Sequence, residues 1–221
     1  MIRAVFFDLD ETLIDAIKCH SFATRKAFEF FNLDYQAAKK KNPNYDGWGR
    51  RIIEILETRR NDLNVNESIL PIKKLAQKRE QLFLQCVQKN AKFYPGALQA
   101  IKNARKNADI VAITSSGTKK YINLCLDKFK FKKKIDFIVG EEDVQKGKPH
   151  PEIYSKAFSL LPKKLKIKKQ ECLVIEDSVN GVKAAKAAQL KVLFIPSNCF
   201  QNTIKADWQL SSLKDFNLTL L

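Results

Sequence analysis

The chain has 221 residues, 45% of them hydrophobic, which is enough to bury the core of one domain or of a domain with a sizeable insertion. No apolar run approaches the ~20 residues of a membrane span, and acidic residues break the first apolar stretch too early for a signal peptide. The formal charge is +16, but its lysines lie in scattered short groups without the arginine-rich, aromatic-interleaved pattern of a nucleic-acid groove. We therefore expect a cytoplasmic protein without a membrane or nucleic-acid partner.

The cysteines give no sign of a disulfide framework. There are five, widely spaced and without a CxxC pair, which argues against both disulfides and a zinc site. We expect buried, reduced thiols.

The first predicted element is a strand over residues 4–7. A continuous run of apolar β-forming residues is typical of a strand buried on both faces of a parallel sheet. Asp8 and Asp10 follow it, and two carboxylates this close require a cation or a shared proton. Magnesium, a hard cation with oxygen ligands, is the expected cation. The alternative is an acidic turn that only caps the next helix.

From residue 16 to about 92 the pattern is helical. Apolar residues recur at helical spacing around 22–31, 52–56 and 75–87, and residues 42–49 are rich in turn formers. No stretch in this part alternates as a strand does. We expect a helical insertion over residues 16–91.

After residue 92, predicted strands and helices alternate. The strands are expected at 109–113, 137–139, 172–175 and 192–195, and the helices at 97–107, 119–129, 152–161 and 179–189, before a last short element at 206–208. Strands that alternate with helices of about ten residues indicate a parallel sheet with right-handed crossovers. The predicted fold class is therefore α/β, with a Rossmann-like parallel sheet in a three-layer αβα core.

Polar residues follow four of the predicted strands. In chain order they are Asp8, Asp10 and Thr12; Thr114 and Ser115; Lys148; and Glu176 and Asp177. In a parallel sheet these strand ends lie at the same edge, so residues distant in sequence converge. Carboxylates for a metal, hydroxyls and amides for oxyanions, and one lysine suit phosphoryl transfer.

In four segments the sequence resembles the haloacid dehalogenase superfamily of phosphohydrolases. These are DLDETL (8–13), AITSS (112–116), GKPHPEIY (147–154) and VIEDSVNG (174–181), and YPG (94–96) resembles the re-entry into the core in the phosphoglycolate phosphatase and β-phosphoglucomutase branch. The resemblance covers the whole chain. It implies a Rossmann-like catalytic core at 1–15 and 92–221 with an inserted α-helical cap domain at 16–91.

The resemblance also implies roles for the acidic residues. Asp8 would be the nucleophile that forms an aspartyl-phosphate, and Asp10 would act as general acid and then as general base. Mg²⁺ would take the Asp8 carboxylate, the Asp10 backbone carbonyl and Asp177. Glu176 would orient the metal's ligand shell rather than bind the metal directly.

The remaining core residues would stabilise the phosphoryl group. Thr114 and the backbone N–H of Ser115 would hold its oxygens, and Lys148 would offset charge on them and on Asp8. We prefer Lys148 to Lys146 because it directly precedes a proline, as in the family motif. Thr12 is expected to close the turn after the nucleophile by a local hydrogen bond.

Candidate substrate-binding residues lie in the predicted cap. Arg50 or Arg51 follows a segment similar to the specificity loop of the mutase branch and could grip a distal phosphate or carboxylate; the alternative is an exposed arginine at a helix start. Arg79 falls where relatives often carry a basic residue facing the cleft. His20 could meet substrate at the cap hinge or be structural, and Trp48 could stack on a ring or pack under its loop.

We expect a Mg²⁺-dependent phosphatase acting on a small phosphorylated metabolite of the sugar phosphate, phosphoglycolate or nucleotide class, as a monomer or weak dimer. The alternative is a β-phosphoglucomutase-like phosphotransferase, which Glu11 disfavours because that branch usually has glycine there. A third possibility is a non-catalytic binding protein on the same fold.

Overall fold

The computed structural model describes residues 1–45, 47, 49–196 and 204–221. Trp48, for which we predicted stacking or packing, lies outside the described residues, as does Cys199. The strands are β1 (Ala4–Phe7), β2 (Ile14–Asp15), β3 (Lys92–Phe93), β4 (Ile110–Thr114), β5 (Phe137–Val139), β6 (Cys172–Glu176), β7 (Lys191–Phe194) and β8 (Trp208–Gln209). The helices are α1 (Ile17–Phe30), α2 (Tyr35–Lys41), α3 (Ile52–Asp62), α4 (Ile72–Asn90), α5 (Ala97–Asn107), α6 (Lys119–Lys128), α7 (Glu152–Ser159) and α8 (Val179–Ala187).

Six strands form one sheet in the order β5-β4-β1-β6-β7-β8, and each neighbouring pair is parallel. Strand β1 lies inside the sheet, and all four of its residues are buried. Val5 and Phe7 belong to one hydrophobic cluster, whereas Ala4 and Phe6 belong to another. Alternate side chains of a strand point to opposite faces, so both faces are covered. The predicted α/β class with a parallel sheet is confirmed.

A second, two-stranded sheet pairs β2 with β3 in antiparallel register, Ile14 opposite Phe93 and Asp15 opposite Lys92. We did not predict this pairing. Because it joins the two points where the chain leaves and re-enters the larger sheet, it brackets helices α1 to α4.

The four helices between β2 and β3, here called the helical segment (residues 17–90), pack partly on one another. Ala27 and Phe28 of α1 share a buried cluster with Leu56 of α3 and Leu75 of α4. Within the described part of the chain, none of the helices combines the length and hydrophobicity that crossing a bilayer requires. That the segment is a separate domain with the boundaries given above stays a prediction.

The expectation that the cysteines are reduced thiols is wrong for one pair. Cys19 on α1 and Cys86 on α4 form a disulfide, with their Cα atoms 5.4 Å apart and the two residues 67 positions apart in sequence. The packing of α1 against α4 brings the two together, and spacing along the chain does not reveal that packing. Cys125 and Cys172 are free and buried, as predicted.

Candidate active site

The carboxyl ends of three adjacent strands bring the predicted core residues together. Strand β1 lies between β4 and β6, and the N–H of Asp8 donates to the carbonyl of Ile175 at 3.0 Å, which extends the ladder to the end of β6. Thr114, at the end of β4, is fully buried, and Asp177 follows β6. The convergence expected from a parallel sheet is therefore realised.

Lys148 lies between two buried carboxylates. Its Nζ is 2.6 Å from Oδ1 of Asp8 and 2.5 Å from Oε1 of Glu176, and only 2% of the residue is exposed. Burial alone would lower the pKa of Lys148, but the two carboxylates raise it well above its ordinary value, so the ammonium stays charged. Lys146, in contrast, is exposed, which supports the choice of Lys148.

Asp8, Glu176 and Asp177 form a cluster that fits a divalent cation. Each offers a carboxylate oxygen, these oxygens lie within 4.8 Å of one another, and all three residues are buried. Burial raises the pKa of Asp8, and Glu176 and Asp177 raise it further against the opposing effect of Lys148. Three carboxylates against one ammonium leave an excess of negative charge, which a hard cation such as Mg²⁺ would balance. For Asp10 the predicted ligand is the backbone carbonyl, and its carboxylate lies outside this cluster.

Both oxygens of Glu176 are already held by donors. Lys148 and the hydroxyl of Tyr154 donate to Oε1, and the N–H and Oγ of Ser178 donate to Oε2 at 3.3 and 3.1 Å. A carboxylate held in this way is suited to orient its neighbours, which supports the predicted indirect role of Glu176. Gly181 is required beside it, because a Cβ there would lie 2.0 Å from the Glu176 carboxyl carbon.

Two predicted contacts need correction. The N–H of Ser115 donates to the carbonyl of Val139 at 3.0 Å, so the sheet already uses the group that we expected to hold phosphoryl oxygens. The hydroxyl of Thr12 donates to Oδ1 of Asp177 at 3.4 Å instead of closing its turn locally, because that turn lies against the end of β6. The Ser115 hydroxyl accepts from the N–H of Gly117 at 3.0 Å.

The carboxylate of Asp10 belongs to a hydrogen-bonded network of polar side chains. Oδ1 of Asp10 accepts from Tyr121 at 2.5 Å and from Nε2 of His20 at 3.1 Å, and Arg79 lies 2.6 Å from Nδ1 of His20. Since an arginine can only donate, Nδ1 accepts and the His20 proton lies on Nε2. Burial lowers the pKa of His20, consistent with a neutral ring. Burial alone would raise the pKa of Asp10, but His20, Tyr121 and Arg79 together lower it.

Glu11, which the sequence analysis used only to choose a branch of the family, is hydrogen-bonded to residues that directly follow β2 and β3. Its carboxylate accepts from the hydroxyl of Tyr94 and, at 3.0 Å, from the N–H of Ala16. Glu11 has a positive φ of 58°, which glycine adopts more readily. Burial raises the pKa of Glu11 to about 7.

A cavity of about 560 Å³ opens above Asp8 and Asp10 and extends into the helical segment. Arg50, Arg79 and His20, the candidate substrate-binding residues, line it, whereas Thr114 and Lys148 are buried and are not among the lining residues. The side chain of Arg79 is almost fully buried, and its Nε has no hydrogen-bond partner among the described residues. Much of the remaining wall is aromatic or aliphatic: Tyr35, Tyr45, Ile52, Ile55, Phe83 and Tyr121.

Direct hydrogen bonds join the helical segment to the loops beside the site. The hydroxyl of Ser116 donates to the carbonyl of Gly49 at 2.7 Å. Arg51 donates to the carbonyl of Gln145 at 2.6 Å and so joins the helical segment to the loop after β5. Of the two neighbouring arginines, it is Arg50 that lines the cavity.

The chain belongs to the haloacid dehalogenase-like hydrolase family, because the sequence profile of that family matches residues 5–195. The family is one of hydrolases. The match includes Asp8, Thr114, Lys148 and Asp177.

Among curated relatives, the bifunctional riboflavin kinase/FMN phosphatase of Arabidopsis thaliana is 38% identical over 130 residues, which are 58% of this chain and 33% of that protein. Hexitol phosphatase B of Escherichia coli K12 is 27% identical over 135 residues, 60% of this chain and 59% of that protein. The matched part of the chain thus spans less than two thirds of either relative. Among solved structures, β-phosphoglucomutase of Clostridium difficile has a TM-score of 0.79 at 22% identity, covering 100% of this chain and 95% of that one. At that identity the likeness establishes the fold.

Proposed function

We propose that the protein is a Mg²⁺-dependent phosphatase that hydrolyses a small phosphorylated metabolite through an aspartyl-phosphate. The observation that carries this proposal is the position of Asp8, which lines the cavity, contacts the ammonium of Lys148 at 2.6 Å and belongs to a buried carboxylate cluster. A carboxylate in that setting can act as a nucleophile toward phosphorus once its charge is offset. Roles for the other core residues follow from their contacts.

In the first step Asp8 attacks the phosphorus atom and the bond to the leaving oxygen breaks. For this step Asp10 must carry a proton when the ester is bound; it gives that proton to the leaving oxygen, and the substrate alcohol departs. In the second step water attacks the aspartyl-phosphate, Asp10 takes the water's proton, and phosphate leaves with Asp8 restored. Lys148 stabilises the negative charge in both steps. Mg²⁺, which Asp8, Asp177 and the Asp10 carbonyl would hold, supplies Lewis-acid stabilisation of the transferring group.

The helical segment would serve as the cap of this site. It contributes His20, Arg50 and Arg79 to the cavity wall, and its hydrogen bonds to the loops at Ser116 and Gln145 close one side of the cavity. A cap that covers the aspartyl-phosphate would limit premature entry of water. Opening it would release the alcohol.

We propose a substrate of the sugar phosphate, phosphoglycolate or nucleotide class. The cavity of about 560 Å³ is in the usual range of ligand pockets, ~300–1,000 Å³, and is roomy for glycolate. Its aromatic walls and the arginines Arg50 and Arg79 favour a larger ester with an apolar or ring-bearing body. The relatives named for hexitol phosphate and FMN give two members for the test panel. We further propose a cytoplasmic monomer or weak dimer.

The test is phosphate release from a panel of phosphorylated metabolites, with Mg²⁺ and with EDTA. We expect turnover that EDTA abolishes and Mg²⁺ restores, and no turnover by Asp8→Asn, which keeps the shape of the side chain and removes the nucleophile. Turnover by Asp8→Asn at the wild-type rate would refute the covalent mechanism. Conversion of glucose 1-phosphate into glucose 6-phosphate without phosphate release would support the phosphotransferase instead. An inactive wild type would leave the binding-protein alternative.

A further inference from the structure

The carboxylate of Asp10 is held from two sides. Its Oδ1 accepts from the hydroxyl of Tyr121 at 2.5 Å and from Nε2 of His20 at 3.1 Å. Both of these hydrogen bonds fall on Oδ1, and Asp10 lines the same cavity as Asp8. Two donors on one oxygen restrict the orientation of the Asp10 carboxylate.

The two donors belong to different parts of the molecule. His20 is on α1 in the helical segment, whereas Tyr121 is on α6, which packs on the sheet through Ile122, Cys125 and Leu126. Thr118 caps α6 by accepting from the N–H of Tyr121 at 3.2 Å. His20 is therefore anchored in the helical segment, whereas Tyr121 is anchored on a helix that packs against the sheet.

The hydroxyl of Tyr121 donates its hydrogen bond to Asp10. Tyr121 is 1% exposed, so its phenol is shielded from water. A neutral phenol next to a carboxylate can give its proton to one acceptor only. Its rigid ring also contacts Phe83, with the centroids 4.8 Å apart.

We propose that Tyr121 is a positioning residue that holds the general acid Asp10 in its reactive orientation whether or not His20 is in place. The proposal rests on the proposed function, because it assigns Tyr121 to the proton transfer of that reaction. Sequence reasoning missed Tyr121 because a buried aromatic residue on a helix face is usually only part of the core.

The test compares two leaving groups in Tyr121→Phe. The departure of p-nitrophenolate needs little help from a general acid, whereas an alkoxide must receive a proton as it leaves. In Tyr121→Phe, kcat/KM for an alkyl phosphate should therefore fall by about tenfold. That loss is part of the ~10²–10⁴-fold contribution of a general acid. For p-nitrophenyl phosphate, kcat/KM should stay within about twofold. The alkyl probe is the panel ester that the wild type hydrolyses fastest, and kcat/KM reports only the steps up to the departure of the leaving group.

The matched control is Tyr94→Phe, which removes another phenol from a buried carboxylate, that of Glu11. Any loss in this variant should be equal for the two esters. A double variant with Asp10→Asn provides a second measurement: with the acid absent, loss of the Tyr121 hydroxyl should have no further effect on the alkyl ester.

Three outcomes overturn the proposal. An equal loss for both esters in Tyr121→Phe would show a structural role only, and an additive loss in the double variant would show an action that does not pass through Asp10. Wild-type rates for the alkyl ester would show that the hydroxyl is dispensable. A wild type that hydrolyses neither ester would instead refute the proposed function, and the positioning role with it.

Discussion

At the scale of single residues, the charged groups of the site are buried, so they must balance one another without help from water. The ammonium of Lys148 touches two carboxylates and is almost completely buried. Such a group stabilises the fold only while all its partners are present, because removing one member leaves a buried charge without compensation. The contacts that we propose to support catalysis therefore also constrain stability.

We predict that Lys148→Gln loses both activity and stability. Without the ammonium, Asp8 and Glu176 repel each other in a buried site, which should lower the free energy of unfolding by about 3–5 kcal/mol. Loss of charge stabilisation should also lower kcat by about 10²–10³-fold. Urea unfolding and phosphate release measure the two effects. Lys146→Gln, at an exposed position, is the control; equal behaviour of the two variants would contradict the assignment of Lys148.

Glu11 gives a prediction about pH. Its pKa rises from 4.5 to about 7 on folding, so the folded state binds a proton more tightly than the unfolded state. The contribution of Glu11 to stability is therefore complete below pH about 4.5 and is lost as pH rises through about 7, a loss of ~3 kcal/mol at most. Urea unfolding of the wild type and of Glu11→Gln between pH 4 and 8 measures it, since the stability difference should change over that interval. A difference independent of pH would contradict the raised pKa.

At the scale of elements, β1 and β4 to β7 were predicted to within about one residue. Continuous apolar runs specify strands such as Phe137–Val139 directly. The parallel arrangement then predicts that Asp8, Thr114 and Asp177 converge, without any knowledge of contacts. The pairing of β2 with β3 was missed because two-residue strands have no period to detect. Likewise, the hydrogen bond from the Ser115 N–H to the carbonyl of Val139 depends on the register of β4 against β5. Composition does not encode that register.

The start of helix α8 has no room for a side chain larger than hydrogen at Gly181. A Cβ there would lie 2.0 Å from the carboxyl of Glu176, so Gly181→Ala must displace that carboxylate from Lys148. We expect the free energy of unfolding to fall by about 1–3 kcal/mol and phosphate release to fall with it. Urea unfolding and activity assays provide the check.

The control for Gly181→Ala is Lys183→Ala, an exposed position on the same helix, which should change stability by no more than about 0.5 kcal/mol. A Gly181→Ala variant with wild-type stability and activity would show that the carboxylate can relax without cost.

At the scale of the whole molecule, the disulfide between Cys19 and Cys86 ties the first and last helices of the helical segment together. The sequence could not indicate it, because the two residues are 67 positions apart and no CxxC spacing marks them. The bond also limits how far α1 and α4, both of which line the site, can separate.

We predict that reduction destabilises the protein by about 4 kcal/mol, the chain-entropy value for a loop of this size. Urea unfolding with and without dithiothreitol measures the change. A Cys19→Ser/Cys86→Ser double variant should be insensitive to the reductant. Detection of all five cysteines as free thiols in the untreated, denatured protein would contradict the bond.

The pairing of β2 with β3 has a consequence for how such proteins diversify. Because Ile14 and Phe93 are cross-strand partners, the chain departs and returns through points only about 5 Å apart. A module of another length, grafted between these two neighbours, would need only ends that match this spacing. Recombination at this junction would therefore exchange the helical segment, which we propose to select the ligand, while Asp8 and Asp10 keep their framework.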